Sequence, residues 1–448
     1  MTFTHHAEGL LTAEHSKQNI PIPFDLPAGL DHLALTAVFE TREEMLTEIA
    51  VSLYDPNGSR GGAHRHFFRH EGKISAAAAT PGFIAGALPA GRWSLEIDTH
   101  LILPDVTVRY SVDIRAEARP DVQPRPPFVI PQPKPSEGRG SGWYRGDLHG
   151  HTFHTDGEWD VDGLLAHARA ARLDFVTLSD HNTVSPLAEM DSLSAPDLLT
   201  MGGMELTTFY GHALALGVRE WVDWRSRPGR GMPEIATEVM AKGGTFIIAH
   251  PMSPGDPVCS GCTWLYEDMM PGSARIVEIW NGTYWNFYSQ DGLELWYKWL
   301  NEGYRMVATS GMDIHRPLAP GVEYPVDVVY ADTLSEAAIL QAVRAGRLYI
   351  SGAPVLDWTG TNAEGQRVMV GETLPGTMPE LRLRWSGCHP TDTIRWIVDG
   401  EAREMWMGEA GEEVRHPHEF RWSVVEVRAA GGELRAVTNS IFRPGAWR

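Results

Sequence analysis

The stretch Asp147-Leu-His-Gly-His-Thr-Phe-His-Thr-Asp-Gly157 holds three histidines and two aspartates in eleven residues. His149 and His151 are two apart, so on an extended strand their imidazoles project to one face. Two neutral imidazoles side by side suit a borderline transition metal. The sequence that follows says what frame carries them. Phe175-Val-Thr-Leu178, Thr245-Phe-Ile-Ile-Ala249, Ile276-Val-Glu-Ile279 and Met306-Val-Ala-Thr309 are short, β-branched-rich apolar runs bounded by polar residues or glycine. Such runs read as buried parallel strands. Helical periodicity separates them at roughly 160–171, 232–242, 289–302 and 335–345. The last pattern opens with Thr333-x-x-Glu336, a capping-box spacing, and has Gly346 just past its end. Repeated strand–helix units imply a parallel sheet, either closed into a barrel or doubly wound.

On the N-terminal side the period changes to two. Val106, Val108, Tyr110, Val112 and Ile114 alternate with polar residues, as do Trp93, Leu95 and Ile97. Asp55-Pro-Asn-Gly58 and Pro89-Ala-Gly91 supply turns. An antiparallel β-sandwich over 1–118 is expected. Seven prolines between Pro120 and Pro135, then Gly138, Gly140 and Gly142, read as an extended linker over 119–142. The strand–helix region occupies 143–354. From 355 to 448 the helical period is gone; Leu381, Leu383 and Trp385 alternate, as do Trp422 and Val424, and a small separate β domain is expected.

Composition limits the function classes. The 448 residues are enough for two or three domains, and 43% are hydrophobic. Three cysteines rule out a disulfide framework and make a reducing, cytoplasmic setting the expectation. The N-terminus lacks a basic region followed by an apolar run, so no signal peptide is expected. No uncharged apolar run of about 18 residues occurs, so no membrane span is expected either. A formal charge of −20 disfavours a nucleic-acid partner. A small-molecule substrate fits better, with the β regions as possible homo-oligomer contacts.

Further ligand-type residues recur where strand-like runs end. Asp180-His181 follows Phe175–Ser179, Glu205 closes Asp197–Met204, and His212 opens His-Ala-Leu-Ala-Leu-Gly217. His250 follows Thr245–Ala249, and Asp313 with His315 follows Met306–Gly311. Carboxyl ends of parallel strands gather at one rim, where sites are built.

As a set these motifs resemble the polymerase-and-histidinol-phosphatase (PHP) superfamily. Its first motif, D-L-H-x-H-T-x-x-S-D-G, is matched by DLHGHTFHTDG; its T-D-H by Ser179-Asp180-His181; its Glu by Glu205; and its D-x-H by Asp313-Ile-His315. Ala249-His250-Pro251 also fits. GMELTTFYGHALALG, together with an N-terminal β domain leading into Tyr-Arg-Gly-Asp-Leu-His, resembles the CehA/McbA metallohydrolase branch. The likeness spans roughly 20–355. Thr155 and Ser179 depart from the pattern but keep a hydroxyl. The resemblance implies an α/β fold, a distorted (βα)7 TIM-like PHP barrel over 143–354, holding two or three divalent transition metals (Zn, Mn or Fe). Carried over residue by residue, it implies His149, His151, Glu205 and Asp313 around the first cation, and Glu205, His212 and His250 around the second. Asp156, His181 and His315 would hold the third. Mixed imidazole and carboxylate ligands suit those metals better than Ca or Mg.

Around this set, His154 is a candidate proton donor or substrate contact beside Asp313 and Glu205, with second-shell packing the alternative reading. Asp147 and Asp180 are expected to orient neighbouring imidazoles. Trp280-Asn-Gly-Thr-Tyr-Trp-Asn-Phe-Tyr288 reads either as interdomain packing or as a pocket wall with Asn281 and Tyr284 facing substrate. Arg316 and Arg145 could bind an anionic oxygen or be salt-bridged. Cys259-Ser-Gly-Cys262 lacks the second pair a zinc site needs, and reads as a loop brace or two thiols. His32, His100, His167, His389, His416 and His418 are taken as ordinary surface or core histidines. The expected activity is hydrolysis by a hydroxide shared between two cations. The bond is a small phosphomono- or phosphodiester, with a carboxyl or carbamate ester as the alternative. A binding module without catalysis is the reading from another class.

Overall fold

The computed structural model describes residues 1–42, 47–64, 68–119, 139–193, 195, 197–318, 322, 324–417 and 419–448. Most of the expected linker (120–138) and His418 lie outside the described residues.

The first 118 residues form strands β1 (Thr2–Leu11), β2 (Gln18–Leu26), β3 (His32–Glu40), β4 (Thr47–Asp55), β5 (Gly58–Ala63), β6 (Arg69–Ser75), β7 (Gly91–Ile102) and β8 (Val108–Glu117). They make two antiparallel sheets, ordered β1-β8-β3-β6 and β2-β7-β4-β5. Alternation buries Leu33, Leu35, Trp93, Leu95, Ile97, Val108, Val112 and Ile114 in one core, the packing expected of two sheets face to face.

The central region starts with β9 (Gly142–Asp147), α1 (Val161–Ala170), β10 (Phe175–Leu178), α2 (Leu187–Leu193), β11 (Leu199–Thr208) and β12 (Gly211–Leu216). It continues through α3 (Met232–Ala241), β13 (Thr245–Ile248), β14 (Ile276–Asn281), α4 (Phe287–Asn301), β15 (Val307–Gly311), β16 (Val326–Ala331), α5 (Glu336–Arg344) and β17 (Leu348–Ser351). β9 to β11 pair in parallel, as do β13 to β15. β10 and β13 are buried throughout, as strands covered on both faces must be. The helices start where local chemistry allows: Asp160, Asn286 and Ser335 each accept an amide hydrogen bond as N-cap. The spacing Thr333-x-x-Glu336 does not form the capping box; Ser335 caps α5, and Glu336 instead accepts from the Gly202 amide and Arg219.

One feature departs from the expected (βα)7 TIM-like barrel. β11 turns back into β12 through Phe209 and Tyr210, so β12 runs antiparallel to both β11 and β13. A two-residue turn leaves no room for a crossover helix. The named strands are ordered β15-β14-β13-β12-β11-β10-β9-β16-β17. Just past the ends of β9 and β15 the chain pairs again: Gly150 and Ile314 form a parallel bridge, the Asp313 amide donating to the His149 carbonyl at 3.0 Å and the His151 amide to the Ile314 carbonyl at 3.1 Å. β15 is tied to β16 by a side chain, with the Ser310 amide donating to Asp327 at 3.1 Å. The result is a mixed α/β region in which strands dominate.

The C-terminal strands are β18 (Val355–Thr361), β19 (Arg367–Met369), β20 (Glu380–Ser386), β21 (Thr393–Val398), β22 (Glu401–Met407), β23 (Gly411–Arg415), β24 (Trp422–Arg428), β25 (Leu434–Thr438) and β26 (Ile441–Phe442). β18, β19, β20 and β23 make a separate sheet. β25 pairs with β17, so β24, β21 and β22 extend the central sheet. Residue 355 is therefore not a break in the hydrogen-bonded frame. β24 is buried on both faces from Trp422 to Val427, which is why its alternation is hard to read. No helix among the described residues is long and apolar enough to cross a membrane.

Candidate metal centre

The parallel strands deliver their ligands from the carboxyl ends. His149 and His151 follow β9, Asp180 and His181 follow β10, His250 follows β13, and Asp313 and His315 follow β15. Glu205 differs from expectation: it lies within β11, not at its end, and the hairpin sets it near His212 at the start of β12. His250 and Asp313 have φ of +29° and +48°. Non-glycine residues are uncommon there, and such backbone conformations cluster where a side chain must be aimed.

Glu205 is the hub. Its Oε2 lies 3.5 Å from both His149 Nε2 and His151 Nε2, and 2.8 Å from His181 Nδ1. Its Oε1 lies 3.2 Å from His212 Nδ1 and from His250 Nε2. Asp313 Oδ1 is 2.9 Å from His151 Nε2 and 3.5 Å from His149 Nε2. Asp156 Oδ1 is 3.3 Å from both His181 Nε2 and His315 Nε2. Three groups have ligand atoms mutually within 4.8 Å: His149, His151 and Glu205; His151, Asp156, His181 and His315; and His212, His250 and Cys262. His151 thus borders the Asp156 group as well as the one first expected, and Cys262 joins His212 and His250.

These residues fit cations on their own chemistry. Nε2 of His149 and His151 and Oε2 of Glu205 crowd against Asp313, His181 and one another at 2.8–3.5 Å, while Nδ1 of His151, Nε2 of His212 and Nδ1 of His250 are buried without a hydrogen-bond partner. Each such atom costs about 1–3 kcal/mol if nothing answers it. A cation among them answers several at once. Burial alone would push the Glu205 carboxyl up, yet His181, His149 and His212 hold it well below the usual range. Asp156 and Asp313 show the same contest, won by their imidazole neighbours. Burial pulls the imidazoles down, but Asp156 and Glu205 hold His181 well up, and Asp313, Glu278 and Glu205 do so for His149. His315, also opposed by burial, is raised to about 9 by Asp156 and Asp313. At His149, His181 and His315 protons therefore occupy places that cations would take, whereas burial lowers His212 and pulls His151 down to about 4 and leaves those imidazoles free to ligate.

A pH dependence follows. A histidine with a raised pKa keeps its proton until the solution passes that value, so below about pH 9 a cation must displace the His315 proton. Cation affinity should rise with pH up to that point and weaken on acidification. Calorimetry of manganese or zinc binding at neutral pH, in buffers of different ionisation enthalpy, should show net proton release; heats that do not vary with buffer would contradict this.

The surrounding side chains were only partly foreseen. Glu278, not singled out in the sequence, faces His149 Nδ1 at 2.9 Å, which leaves His149 Nε2 for a cation. The Asn281 amide donates to Glu278 at 2.7 Å and to Asp313 at 3.2 Å. A carboxylate inside the apolar run Ile276–Ile279 was the available signal, since an acid at 1% exposure needs a purpose. Asp147 and Asp180 do not orient imidazoles. Asp147 accepts from the Met312 amide, and burial pushes it up to about 7. Asp180 braces the ligand loop through the Thr152 and Thr155 amides and hydroxyls.

His154 is not brought into the three groups. Its Nδ1 lies 2.8 Å from Ser185 Oγ and its Nε2 3.3 Å from Glu189. The Gly82 amide of the N-terminal sandwich also donates to it. The neighbouring wall comes from that sandwich too: His64 packs on the His181 ring at 4.6 Å between centroids, with His100 edge-on behind it. Lys17 pairs with Asp256, and Arg225 with Glu96, across the same seam. No local pattern in the sequence links His64 to His181. Tyr284 and Phe287 are 69% and 70% exposed, so these two are not interdomain packing. Arg316 and Arg145 are exposed and are not among the residues brought together.

No family model matches this chain, and no curated protein does. Among solved structures it is similar to a two-domain protein containing a predicted PHP-like metal-dependent phosphoesterase from Bacteroides vulgatus, at 14% identity. That match covers 71% of this chain and 100% of the other, with a TM-score of 0.39. A proposed metal-dependent phosphoesterase from Bifidobacterium adolescentis matches at 16% identity over 44% of this chain and 94% of its own, TM-score 0.29. An amidohydrolase from Chromobacterium violaceum matches at 15% over 38% and 88%, TM-score 0.27. These likenesses are too weak to identify the chain, and the reading of the site rests on its own side chains.

Proposed function

We propose that this protein is a metal-dependent hydrolase of the PHP type, acting on small phosphomono- or phosphodiesters. One observation carries the reading: the buried Glu205 carboxylate serves two sets of imidazoles, one on each oxygen, with His149, His151 and His181 within 3.5 Å of Oε2 and His212 and His250 at 3.2 Å from Oε1. His149, His151, Glu205 and Asp313 would hold one cation, His212, His250 and Glu205 a second, and Asp156, His181 and His315 a third. Bound there, Zn, Mn or Fe would lower the pKa of water towards neutrality and offset charge developing on the substrate. The chain's own part is orientation. Glu278 sets the His149 tautomer, Asn281 steadies Asp313, and the Asp180-braced loop positions His151 and Asp156. His154, its nitrogens turned to Ser185 and Glu189, serves in this reading as a brace to the N-terminal sandwich.

Several adjacent cations suit a multiply charged phosphate better than a neutral ester. The exposed Tyr284 and Phe287, just beyond Asn281, favour an aromatic or apolar group on the substrate, which keeps aryl carboxyl and carbamate esters as the second reading. Net charge −20 supports a small molecule over a nucleic acid, and a cytoplasmic location belongs to the same reading. Protein loaded with Mn, Fe or Zn should turn over p-nitrophenyl phosphate or bis-p-nitrophenyl phosphate in a chelator-sensitive way. Turnover confined to 1-naphthyl esters would move the assignment to the second reading. Silence on every substrate at full metal loading would leave a binding module.

A further inference from the structure

The second cation group contains a residue that the resemblance does not supply. Cys262 is 4% exposed, and its sulfur lies within 4.8 Å of ligand atoms on His212 and His250. The loop is built to pass this close. Gly261 sits at φ +75°, and a Cβ there would collide with the Thr208 carbonyl and lie 3.4 Å from His212 Nε2. The positive φ and the Thr208 carbonyl require glycine here, and the loop then runs in contact range of that imidazole. Ser260 Oγ anchors the loop to the His100 carbonyl, and the Trp264 amide to the Pro251 carbonyl. His212 Nε2 and His250 Nδ1 are buried without hydrogen-bond partners. The sulfurs of Cys259 and Cys262 are bonded, and Cys259 is the exposed member of the pair.

We propose that Cys262 is a protein ligand of the cation held by His212 and His250, and that the Cys259–Cys262 disulfide withdraws it. The proposal rests on the metal-centre reading and adds a sulfur donor and a redox control to it. Two imidazoles and a thiolate make a donor set suited to zinc. The chemistry balances with a dithiol reductant. One thiolate of the reductant attacks the exposed Cys259 sulfur; the S–S bond breaks, and its electron pair leaves on Cys262 as a thiolate. The second reductant thiol then displaces Cys259 as a thiol, and the reductant departs as a disulfide, two electrons and two protons having been transferred. Whether Cys262 carries that proton or has lost it to solvent, the cation receives a thiolate.

Cobalt(II) reads ligand type directly, through visible bands for bound metal and a near-ultraviolet charge-transfer band for sulfur ligation. Reduced wild-type protein should show both. Oxidised protein and Cys262→Ser should keep the visible bands and lose the charge-transfer band. Cys259→Ser should show both without any reductant. Cys262→Ser should also bind its second cation at least about tenfold more weakly. Visible bands with no charge-transfer band in reduced wild type and in Cys259→Ser would overturn the proposal while leaving the metal centre intact. No visible band in any form of the folded protein would overturn the metal centre and the proposal together.

Discussion

Glu205→Gln is expected to lower turnover at least about 100-fold and to remove more than one cation per chain. The substitution is nearly isosteric, and β11 keeps its backbone ladder to β10 and β12. What changes is charge at the one group that touches His149, His151 and His181 through one oxygen and His212 and His250 through the other. An amide has one oxygen and cannot serve two cations alike. Without the carboxylate, the imidazoles it holds up also lose the nearest compensation for their protons, so cation-free protein should unfold at lower temperature. Metal content by mass spectrometry and circular dichroism check both halves. A Gln variant that keeps full metal and turnover would remove the hub from the account.

Asp313→Ala should have a comparable effect on turnover, at least about 100-fold, with a smaller loss of metal, confined to the cation shared with His149 and His151. Asp313 Oδ1 approaches both imidazoles and its Oδ2 takes the Asn281 amide, so the change removes a ligand and frees the group that steadies it. Its φ of +48° suits aspartate or asparagine better than alanine, a difference on the order of 1 kcal/mol. Asp313→Asn separates the two causes. It keeps the backbone preference, so inactivity in both variants points to the carboxylate, and recovery in Asn points to the backbone.

The ligands were legible because their neighbours are simple. Phe175–Leu178, Thr245–Ile248 and Val307–Gly311 are short buried runs, and a polar residue directly after such a run sits at the strand's end. The four longer helices were readable from their 3.6-residue period and fell close to their expected positions. What stayed hidden depended on strand direction and on distant packing. The hairpin at Phe209-Tyr210 reverses β12, which no apolar pattern records, since β11 and β12 are buried on both faces. β25 joins β17 by pairing across about ninety residues, so no local pattern records that β25, β24, β21 and β22 continue the central sheet. Glu278 was masked by its apolar run, and His64 reaches His181 only because the N-terminal sandwich docks beside the ligand loop.

The central claim is that these histidines and acids grip cations, and diffraction at a metal absorption edge tests it most directly. Crystals of manganese- or zinc-loaded protein should give anomalous peaks beside Glu205 on both sides, towards His149 and His151 and towards His212 and His250, with a further peak among Asp156, His181 and His315. A map from loaded, folded protein with no anomalous peak at any of these places would contradict the account.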